Sequence, residues 1–424
     1  MQHLLKIRNL GPIKHCEIHV DDFTVLTGPQ ASGKSTIARS IYFFHTLKDD
    51  VFAQITHRPS EDEYETDSIQ AFEKRLRKKF LQIFGSTWSM ADDMKLTYEY
   101  APHVKITAYL EPDRNRSYRN FVRFEIDDKI TEFLSRYENQ PYEWDQEERR
   151  QTLRTDIDKL FEDVYETIYI PAGRSLITVL TDRLASILDG EDRTLDYCMR
   201  AYVRLTMEKR AAFRDGAAGL LGEKLHTTQE KVDRKKMKIM QDLMDRVLQG
   251  RYSYQSGEER LNIEGHRYVK INFASSGQQE AVWVFNLLYY YLLERKPIFL
   301  IIEEPEAHLY PDAQKAITEA LGLFGHERNQ VLMTTHSPYI LGELNNLLFA
   351  NTIPQKYRGQ MPVAEEKLLP EEHTWVGHVN GGMVEDGVSD GFIQNELIDG
   401  ASDEINDEMQ KLMEMSWQAE DSHE

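Results

Sequence analysis

The sequence predicts an α/β fold built around a parallel sheet, and three segments carry this prediction. The first is a short β-branched strand at residues 23–27, followed by a glycine-rich loop at 28–35 and an amphipathic helix. The other two are continuous apolar runs at 298–302 and 331–333, each of which ends in polar residues. Uninterrupted apolar strands are typical of parallel sheets, because helices cover both faces of such sheets.

The glycine-rich loop fits the pattern G-x-x-x-x-G-K-[ST]. Gly28 and Gly33 allow turns that point successive N–H groups inward, and the helix N-terminus adds its positive dipole end. Lys34 brings a charge to the β- and γ-phosphates, and the Ser35 hydroxyl is suited to coordinate Mg²⁺. We therefore predict that the loop binds ATP with Mg²⁺. The residues predicted to hold the nucleotide here are Gly28, Pro29, Gln30, Ala31, Ser32, Gly33, Lys34, Ser35 and Thr36.

Two acids, Glu303 and Glu304, follow the apolar run at 298–302. Open α/β sheets bind their ligands at the carboxyl ends of the strands, so we expect these acids to lie near the phosphate loop. An acidic pair after a strand is often only a solvated strand end, but the loop upstream favours a catalytic interpretation. Glu303 is the predicted Mg²⁺ ligand, and Glu304 is the predicted base for the attacking water.

Two more segments complete an ordered set of four. Ser-Ser-Gly-Gln at 275–278 precedes an apolar helix at 281–293, and His336 follows the run at 331–333. A histidine after a strand is, on its own, more often a capping residue. Its Thr-Thr-His-Ser-Pro setting and its place in the order favour a functional role.

With these four segments the chain resembles the ABC-type ATPases, and more narrowly the soluble branch that contains the RecF, SMC and OLD-type proteins. The string EEPEAHLYP at 303–311 is similar to the OLD-type EEPEAHLHP, and YIPAGRS at 169–175 is similar to a segment of bacterial ATPases in that group. The resemblance covers the first 45 residues and about 255–350 well, and the middle loosely. It implies an ABC-type P-loop ATPase core, a mixed sheet flanked by helices, with an inserted antiparallel β and helical lobe.

The resemblance also implies roles for single residues. Ser275, Gly277 and Gln278 match the signature loop, which in the family touches the γ-phosphate bound to the opposite subunit. ATP would then lie at the interface of a head-to-tail homodimer, with a higher oligomer left open. His336 matches the switch histidine, which contacts the γ-phosphate and helps to hold the attacking water. Glu303 departs from the usual Asp of the Walker B strand, although the OLD-type branch uses Glu there. The resemblance does not identify a Q-loop glutamine or an adenine-stacking residue.

Composition narrows the class of protein. With 51 Lys and Arg against 71 Asp and Glu, the 424-residue chain has a net charge of −20, which argues against a broad nucleic-acid-binding surface. No run approaches the roughly 20 apolar residues that span a bilayer, so we expect no membrane contact and a cytoplasmic location. Only two cysteines, Cys16 and Cys198, are present, which argues against structural zinc and against a disulfide framework.

Two local basic clusters, at 74–79 and 231–238, leave nucleic acid open as a partner. Each lies in a segment of helical character. One interpretation is a solvated helix face balanced by nearby acids, and the other is a strip that contacts a phosphate backbone. The sequence does not separate the two.

The predicted domain organisation is a split core with an insert and a tail. Its boundaries are 1–45 and 251–390 for the ATPase core, 46–250 for the inserted lobe and 391–424 for an acidic helical tail. Within the lobe we expect strands at about 94–126 and near 168–171, and helices at about 130–248.

The tail leaves no room for the TOPRIM nuclease domain of the OLD-type nucleases, so an effector would be a separate protein. The predicted function is an ATP-hydrolysing dimer that senses or regulates within a bacterial, phage-defence-like complex with a separate effector such as a nuclease. The alternative is a RecF-like ATPase for DNA repair or DNA-end binding. A transporter subunit is disfavoured by the insert and by the altered signature.

Overall fold

The structure is a computed structural model of the chain, and it combines helices with mixed sheets. It describes residues 3–56, 68–111, 121–138, 147–179, 195–227, 232–263, 267–326, 328–389, 391–394 and 406–413. The strands are β1 His3–Leu10, β2 Ile13–Val20, β3 Phe23–Thr27, β4 Lys95–Ala101, β5 Val104–Glu111, β6 Phe121–Ile126, β7 Glu166–Ile170, β8 Arg251–Gln255, β9 Glu258–Ile263, β10 Arg267–Lys270, β11 Ile298–Glu303, β12 Gln330–Thr334, β13 Thr374–Asn380, β14 Met383–Asp386, β15 Val388–Ser389 and β16 Phe392–Ile393.

The α-helices follow the same chain order. They are α1 Lys34–His45, α2 Leu47–Thr56, α3 Ser68–Phe84, α4 Asp128–Glu138, α5 Glu147–Phe161, α6 Leu176–Val179, α7 Tyr197–Lys209, α8 Gly216–Thr227, α9 Arg234–Leu248, α10 Ser276–Glu294, α11 Pro311–Gly325, α12 Pro338–Thr352 and α13 Gln355–Arg358.

A six-stranded sheet positions the predicted site, and its order among the described residues is β14-β13-β3-β12-β11-β7. The five strands from β13 to β7 are parallel, and only β14 runs antiparallel to its neighbour. Every residue of β11 is buried, as its apolar run predicts, and so is every residue of the β-branched strand β3. Because these strands are parallel, their carboxyl ends meet at one edge of the sheet.

A second, five-stranded antiparallel sheet has the order β2-β1-β4-β5-β6. Burial alternates along β6, and the buried face of this sheet packs against α1 and α3, where Phe43, Phe80 and Phe124 meet. Alternation with a period of two is expected for a sheet that is covered on one side.

The segment 46–250 supplies strands to both sheets. Its strand β4 pairs with β1, and its strand β7 pairs with β11. The β-strands of the predicted insert are thus hydrogen-bonded directly to strands outside it. The division into core and insert stays a prediction, and the sheets themselves are continuous across its boundaries.

Part of the predicted acidic tail is described. Residues 391–394 include β16, and residues 406–413 are helical with exposed side chains. The rest of the expected tail helix lies outside the described residues.

Candidate functional site

The phosphate loop joins the end of β3 to the start of α1, in a backbone conformation that requires glycine at two positions. Gly28 has φ 137°, and a Cβ placed there would lie 2.2 Å from the carbonyl oxygen of Val379. Gly33 has φ 113°, and its Cβ would lie 2.4 Å from Ile13 Cδ1. Positive φ and close packing both exclude larger residues, so the two glycines of the pattern are fixed by the fold.

Lys34, the first residue of α1, is buried under this loop. Its Nζ donates hydrogen bonds to the carbonyl oxygens of Gly28, at 2.7 Å, and Pro29, at 2.9 Å. Burial lowers the pKa of Lys34, while the carboxylates of Glu304 and Glu306 act in the opposite direction. These two acids thus favour the charged form of Lys34.

The start of α1 offers polar groups to a ligand. Gly33 is the N-cap residue, no side chain caps the helix, and no acid lies in its first turn. The N–H groups of a first turn have no acceptor within their own helix, and the helix dipole makes this end positive. Ser35 is exposed, and Thr36 is half-buried. The arrangement suits a phosphate anion.

Glu303 closes β11 and is buried at 2% exposure. Its Oε2 accepts a hydrogen bond from the backbone N–H of Ala172 at 3.2 Å, and its carboxylate also interacts with the Tyr169 hydroxyl and with the positive charge of Arg39. A buried carboxylate is costly unless a cation or a donor compensates it. Carboxylate oxygen is a donor that Mg²⁺ prefers, and the role of Glu303 as its ligand stays a prediction.

Glu304, the next residue, is more accessible, with a side chain that is 38% exposed. Its backbone has φ 43°, and its N–H donates to the carbonyl oxygen of Thr334 at 2.9 Å. This left-handed conformation is uncommon for a residue with a side chain and is typical of functional sites. It separates Glu304 from Glu303, so that one acid is buried and its neighbour reaches solvent.

His336 follows β12 and lies beside Glu304, with 3.9 Å between His336 Nδ1 and Glu304 Oε1. Glu306 fixes this segment, because its Oε1 accepts from the Thr335 hydroxyl at 2.7 Å and from the His336 N–H at 3.0 Å. Sequence reasoning did not assign a role to Glu306. The signal was present, since Glu306 belongs to the EEPEAH string that carries the resemblance.

The predicted signature residues lie at the N-terminus of α10. Ser275 caps the helix, accepting from the Gln278 N–H at 3.4 Å, while Gln278 Oε1 accepts from the Ser275 N–H at 3.0 Å. A Cβ on Gly277 would lie 2.8 Å from the carbonyl oxygen of His308, so the segment packs closely on the loop after Glu304. Ser275 is exposed. Within one subunit and its described residues, no hydrogen bond links Ser275, Gly277 or Gln278 to the phosphate loop.

Arg174 is a second residue for which sequence reasoning assigned no role. It is 1% exposed and donates to the carbonyl oxygens of Glu303, at 2.9 Å, and Glu304, at 3.1 Å. It is also paired with the buried Glu280 of α10. The signal in the sequence was its position in the YIPAGRS string at 169–175, which is similar to a segment of bacterial ATPases.

The first basic cluster is partly used within the fold. Lys79 is buried and its Nζ lies 2.5 Å from Asp50 Oδ2, and the Arg77 side chain donates to the Val122 carbonyl oxygen at 2.9 Å. Lys74 and Lys78 are exposed. In the second cluster Lys236 is buried and Lys231 lies outside the described residues.

Other site types find little support in the described part of the chain. Both cysteines are buried and free. No helix there is long and apolar enough to cross a bilayer. No group of three or more His, Cys, Asp or Glu side chains there has the geometry of a metal site. A nucleotide-bound Mg²⁺ needs only one or two protein ligands, so this finding does not bear on the predicted pair of Ser35 and Glu303.

Comparison with solved structures finds SMC head domains at low identity. The chain is similar to an SMC head bound to the C-winged helix domain of ScpA, with 11% identity, a TM-score of 0.42, and coverage of 91% of this chain and 97% of that chain. An SMC head domain from Thermotoga maritima gives 12% identity and a TM-score of 0.38 over 92% and 99%. An SMC head with an extended coiled coil, bound to the C-terminal domain of ScpA derived from Pyrococcus furiosus, gives 12% and 0.39 over 96% and 99%. Likeness at this level says nothing about function.

Comparison of the amino-acid sequence with protein families identifies the family of the chain. No curated protein matches the chain. The AAA ATPase domain family matches residues 1–341, which is most of the chain. Together with the parallel sheet and its phosphate loop, this match confirms the predicted fold class, an ABC-type P-loop ATPase core. The chain belongs to the AAA ATPase domain family.

Proposed function

We propose that the protein binds and hydrolyses ATP. One observation carries the proposal: the residues after β3, β12 and β11 meet at the carboxyl edge of a single sheet. Strand β12 pairs with both β3 and β11, so Lys34, His336 and Glu304 come from three adjacent parallel strands. The carboxylate of Glu304 favours the charged form of Lys34, and His336 Nδ1 lies 3.9 Å from Glu304 Oε1.

The proposed roles follow from the position and burial of each side chain. Lys34 and the N-terminus of α1 bind the phosphates. Ser35 and Glu303 would hold Mg²⁺, which neutralises charge on the phosphates when it is bound. Glu304 reaches solvent, so it can orient the attacking water and accept its proton. His336 donates a hydrogen bond to the γ-phosphate.

A cavity of about 160 Å³ lies on the other side of Thr36 and extends to Arg39, Phe84 and Met90. We propose that it holds the base of the nucleotide, because phosphates bound at the N-terminus of α1 would leave the base close to Thr36, which lines this cavity. Aromatic and thioether side chains suit a flat π-system.

We propose a head-to-tail homodimer in which Ser275 of one subunit meets the nucleotide of the other. Support comes from exposed aromatic side chains beside both halves of such an interface. Phe273, two residues before Ser275, is 77% exposed, and Tyr310, at the start of α11, is 76% exposed. Large apolar side chains at such exposure are typical of interface residues.

For the biological role, we propose a sensor or regulatory subunit of a bacterial, phage-defence-like complex in the cytoplasm, where ATP is present. A separate effector such as a nuclease would act on its signal. The buried state of Lys79 and the internal bond of Arg77 weaken the alternative of a RecF-like DNA-binding ATPase, since only part of that cluster is accessible.

The test of ATP hydrolysis uses Glu304→Gln, with Lys34→Ala as a reference for lost binding. Phosphate release from ATP with Mg²⁺ should fall by about 10²–10⁴-fold in Glu304→Gln, because a general base contributes that much. Binding of a fluorescent ATP analogue should persist in Glu304→Gln and disappear in Lys34→Ala. Wild-type turnover in Glu304→Gln would remove Glu304 as the base, and unchanged binding in Lys34→Ala would remove the whole site.

A further inference from the structure

Arg174, in the turn after β7, is almost fully buried, at 1% exposure. Its guanidinium donates to the carbonyl oxygens of Glu303, Glu304 and Glu280, at 2.9, 3.1 and 3.0 Å. A buried charge is costly unless it is paired and hydrogen-bonded. Arg174 meets both conditions, and its planar fork holds several acceptors in fixed positions.

One end of the Arg174 guanidinium contacts the backbone of Glu304, the proposed base. The backbone of Glu304 has φ 43°, a conformation that a residue with a side chain keeps only when its surroundings impose it. The N–H of Glu304 donates to the Thr334 carbonyl oxygen at 2.9 Å, and the carbonyl oxygen of Glu304 accepts from Arg174 Nη2 at 3.1 Å. Arg174 shares this task with the turn itself, because the carbonyl oxygen of Glu304 also accepts from the Ala307 N–H at 3.1 Å and the Glu304 N–H also donates to the Thr334 hydroxyl at 3.3 Å.

The Nε side of the same guanidinium contacts Glu280 of α10. Arg174 Nε lies 3.4 Å from Glu280 Oε2, and both side chains are 1% exposed. Glu280 Oε1 accepts from the Ser175 N–H at 3.2 Å, which ties the same turn to α10 a second time. Glu280 lies little more than one helical turn after Ser275, the cap of that helix.

We propose that Arg174 is a positioning residue, which holds Glu304 in its reactive backbone conformation and joins it to the helix that carries the signature loop. The inference rests on the proposed ATPase function. Arg174 does not touch the nucleotide, and its effect on turnover passes through the two carbonyl groups of β11 and its following turn.

The test separates positioning from folding by a double-mutant cycle. Arg174→Met leaves Glu280 buried without its counter-charge, and Glu280→Gln does the same to Arg174, so each single variant should unfold at lower urea concentration. The double variant Arg174→Met/Glu280→Gln removes both charges and keeps an acceptor for the Ser175 N–H. Its urea midpoint should return most of the way to the wild-type value.

Turnover should behave differently. In the double variant the carbonyl groups of Glu303 and Glu304 still lack the guanidinium, and the Glu304 carbonyl oxygen keeps the Ala307 N–H as a donor. Without the guanidinium kcat should stay about 100-fold below the wild-type value, the size expected for a displaced catalytic group. Binding of a fluorescent ATP analogue should change by less than about twofold. Arg174→Lys keeps the charge but lacks the fork, so it should keep the urea midpoint and lose turnover.

Arg251→Met, at a side chain that is 74% exposed, is the matched control and should change neither quantity. If kcat of the double variant recovers together with its stability, Arg174 is only structural and the inference is wrong. The proposed function fails separately: in that case the wild type hydrolyses no ATP, or Glu304→Gln hydrolyses it at the wild-type rate.

Discussion

Gly28→Ala should weaken nucleotide binding while the protein remains folded. An alanine at φ 137° adopts a conformation that only glycine takes readily, at an expense of about 1–3 kcal/mol. Its Cβ would also start 2.2 Å from the Val379 carbonyl oxygen, where ordinary contact begins at 3.4 Å. The phosphate loop must therefore move by about 1 Å, a displacement that can reduce the function of a site by about 100-fold.

The measurement is isothermal titration of ATP with Mg²⁺, together with thermal unfolding of the ligand-free protein. We expect the dissociation constant to rise by about 10- to 100-fold, with helix and sheet content retained. Gly342→Ala is the matched control, because Gly342 lies inside α12 with nothing within 4 Å of the added carbon. That change should leave affinity unaltered and raise the free energy of unfolding by about 0.5–1 kcal/mol. Wild-type affinity in Gly28→Ala would refute the placement of the phosphates against this loop.

Two further predictions concern association and acid stability. Ser275→Arg should keep ATP binding by one subunit but prevent the dimer, as measured by light scattering in the Glu304→Gln background. Ser275→Thr, which keeps the helix cap, should still dimerise. An ATP-dependent dimer in Ser275→Arg would count against the interface. Burial, followed by the neighbouring His45, lowers the pKa of His3 to about 3, from 6.5. As the pH falls below 6.5 the unfolded chain binds a proton that folded His3 does not, so stability falls. His3 should lower the free energy of unfolding by about 2 kcal/mol as the pH falls from 7 to 5. In His3→Gln the fall in this free energy, measured by urea unfolding at the two pH values, should be smaller by that amount. An equal pH dependence in the wild type and His3→Gln would contradict the prediction.

The parts of the fold that the sequence predicts best are those with a strong local pattern. The apolar strands β11 and β12, the β-branched strand β3 and the helix α10 are confirmed. Burial on both faces of a strand leaves a run of apolar or β-branched residues that is easily recognised. Pairing across long distances leaves no such local pattern. The bond between β4 and β1, and the edge position of β7 beside β11, could not be read from either strand alone.

The candidate site shows the same division. Spacing within one short segment identifies Lys34 and places Glu304 after a strand. The contact between His336 and Glu306 depends instead on how two loops meet. The partnership of Arg174 with Glu280 joins residues more than one hundred positions apart, and although each lies in or beside a recognisable segment, neither segment indicates the other as its partner. A single sequence carries no record of such pairs.

Strand β3 has an unusual position for folding during synthesis. It is the third strand in the chain, yet both of its neighbours in the sheet, β12 and β13, are made some 300 or more residues later. At about 5–20 residues per second, a ribosome would need roughly 15–60 s to deliver them. Through that interval the nascent chain carries an apolar strand with two open edges, which is a hazard for aggregation. Protection by a chaperone is thus most needed before residue 331 emerges, and the phosphate loop, which packs against Val379, takes its final shape only near the end of translation.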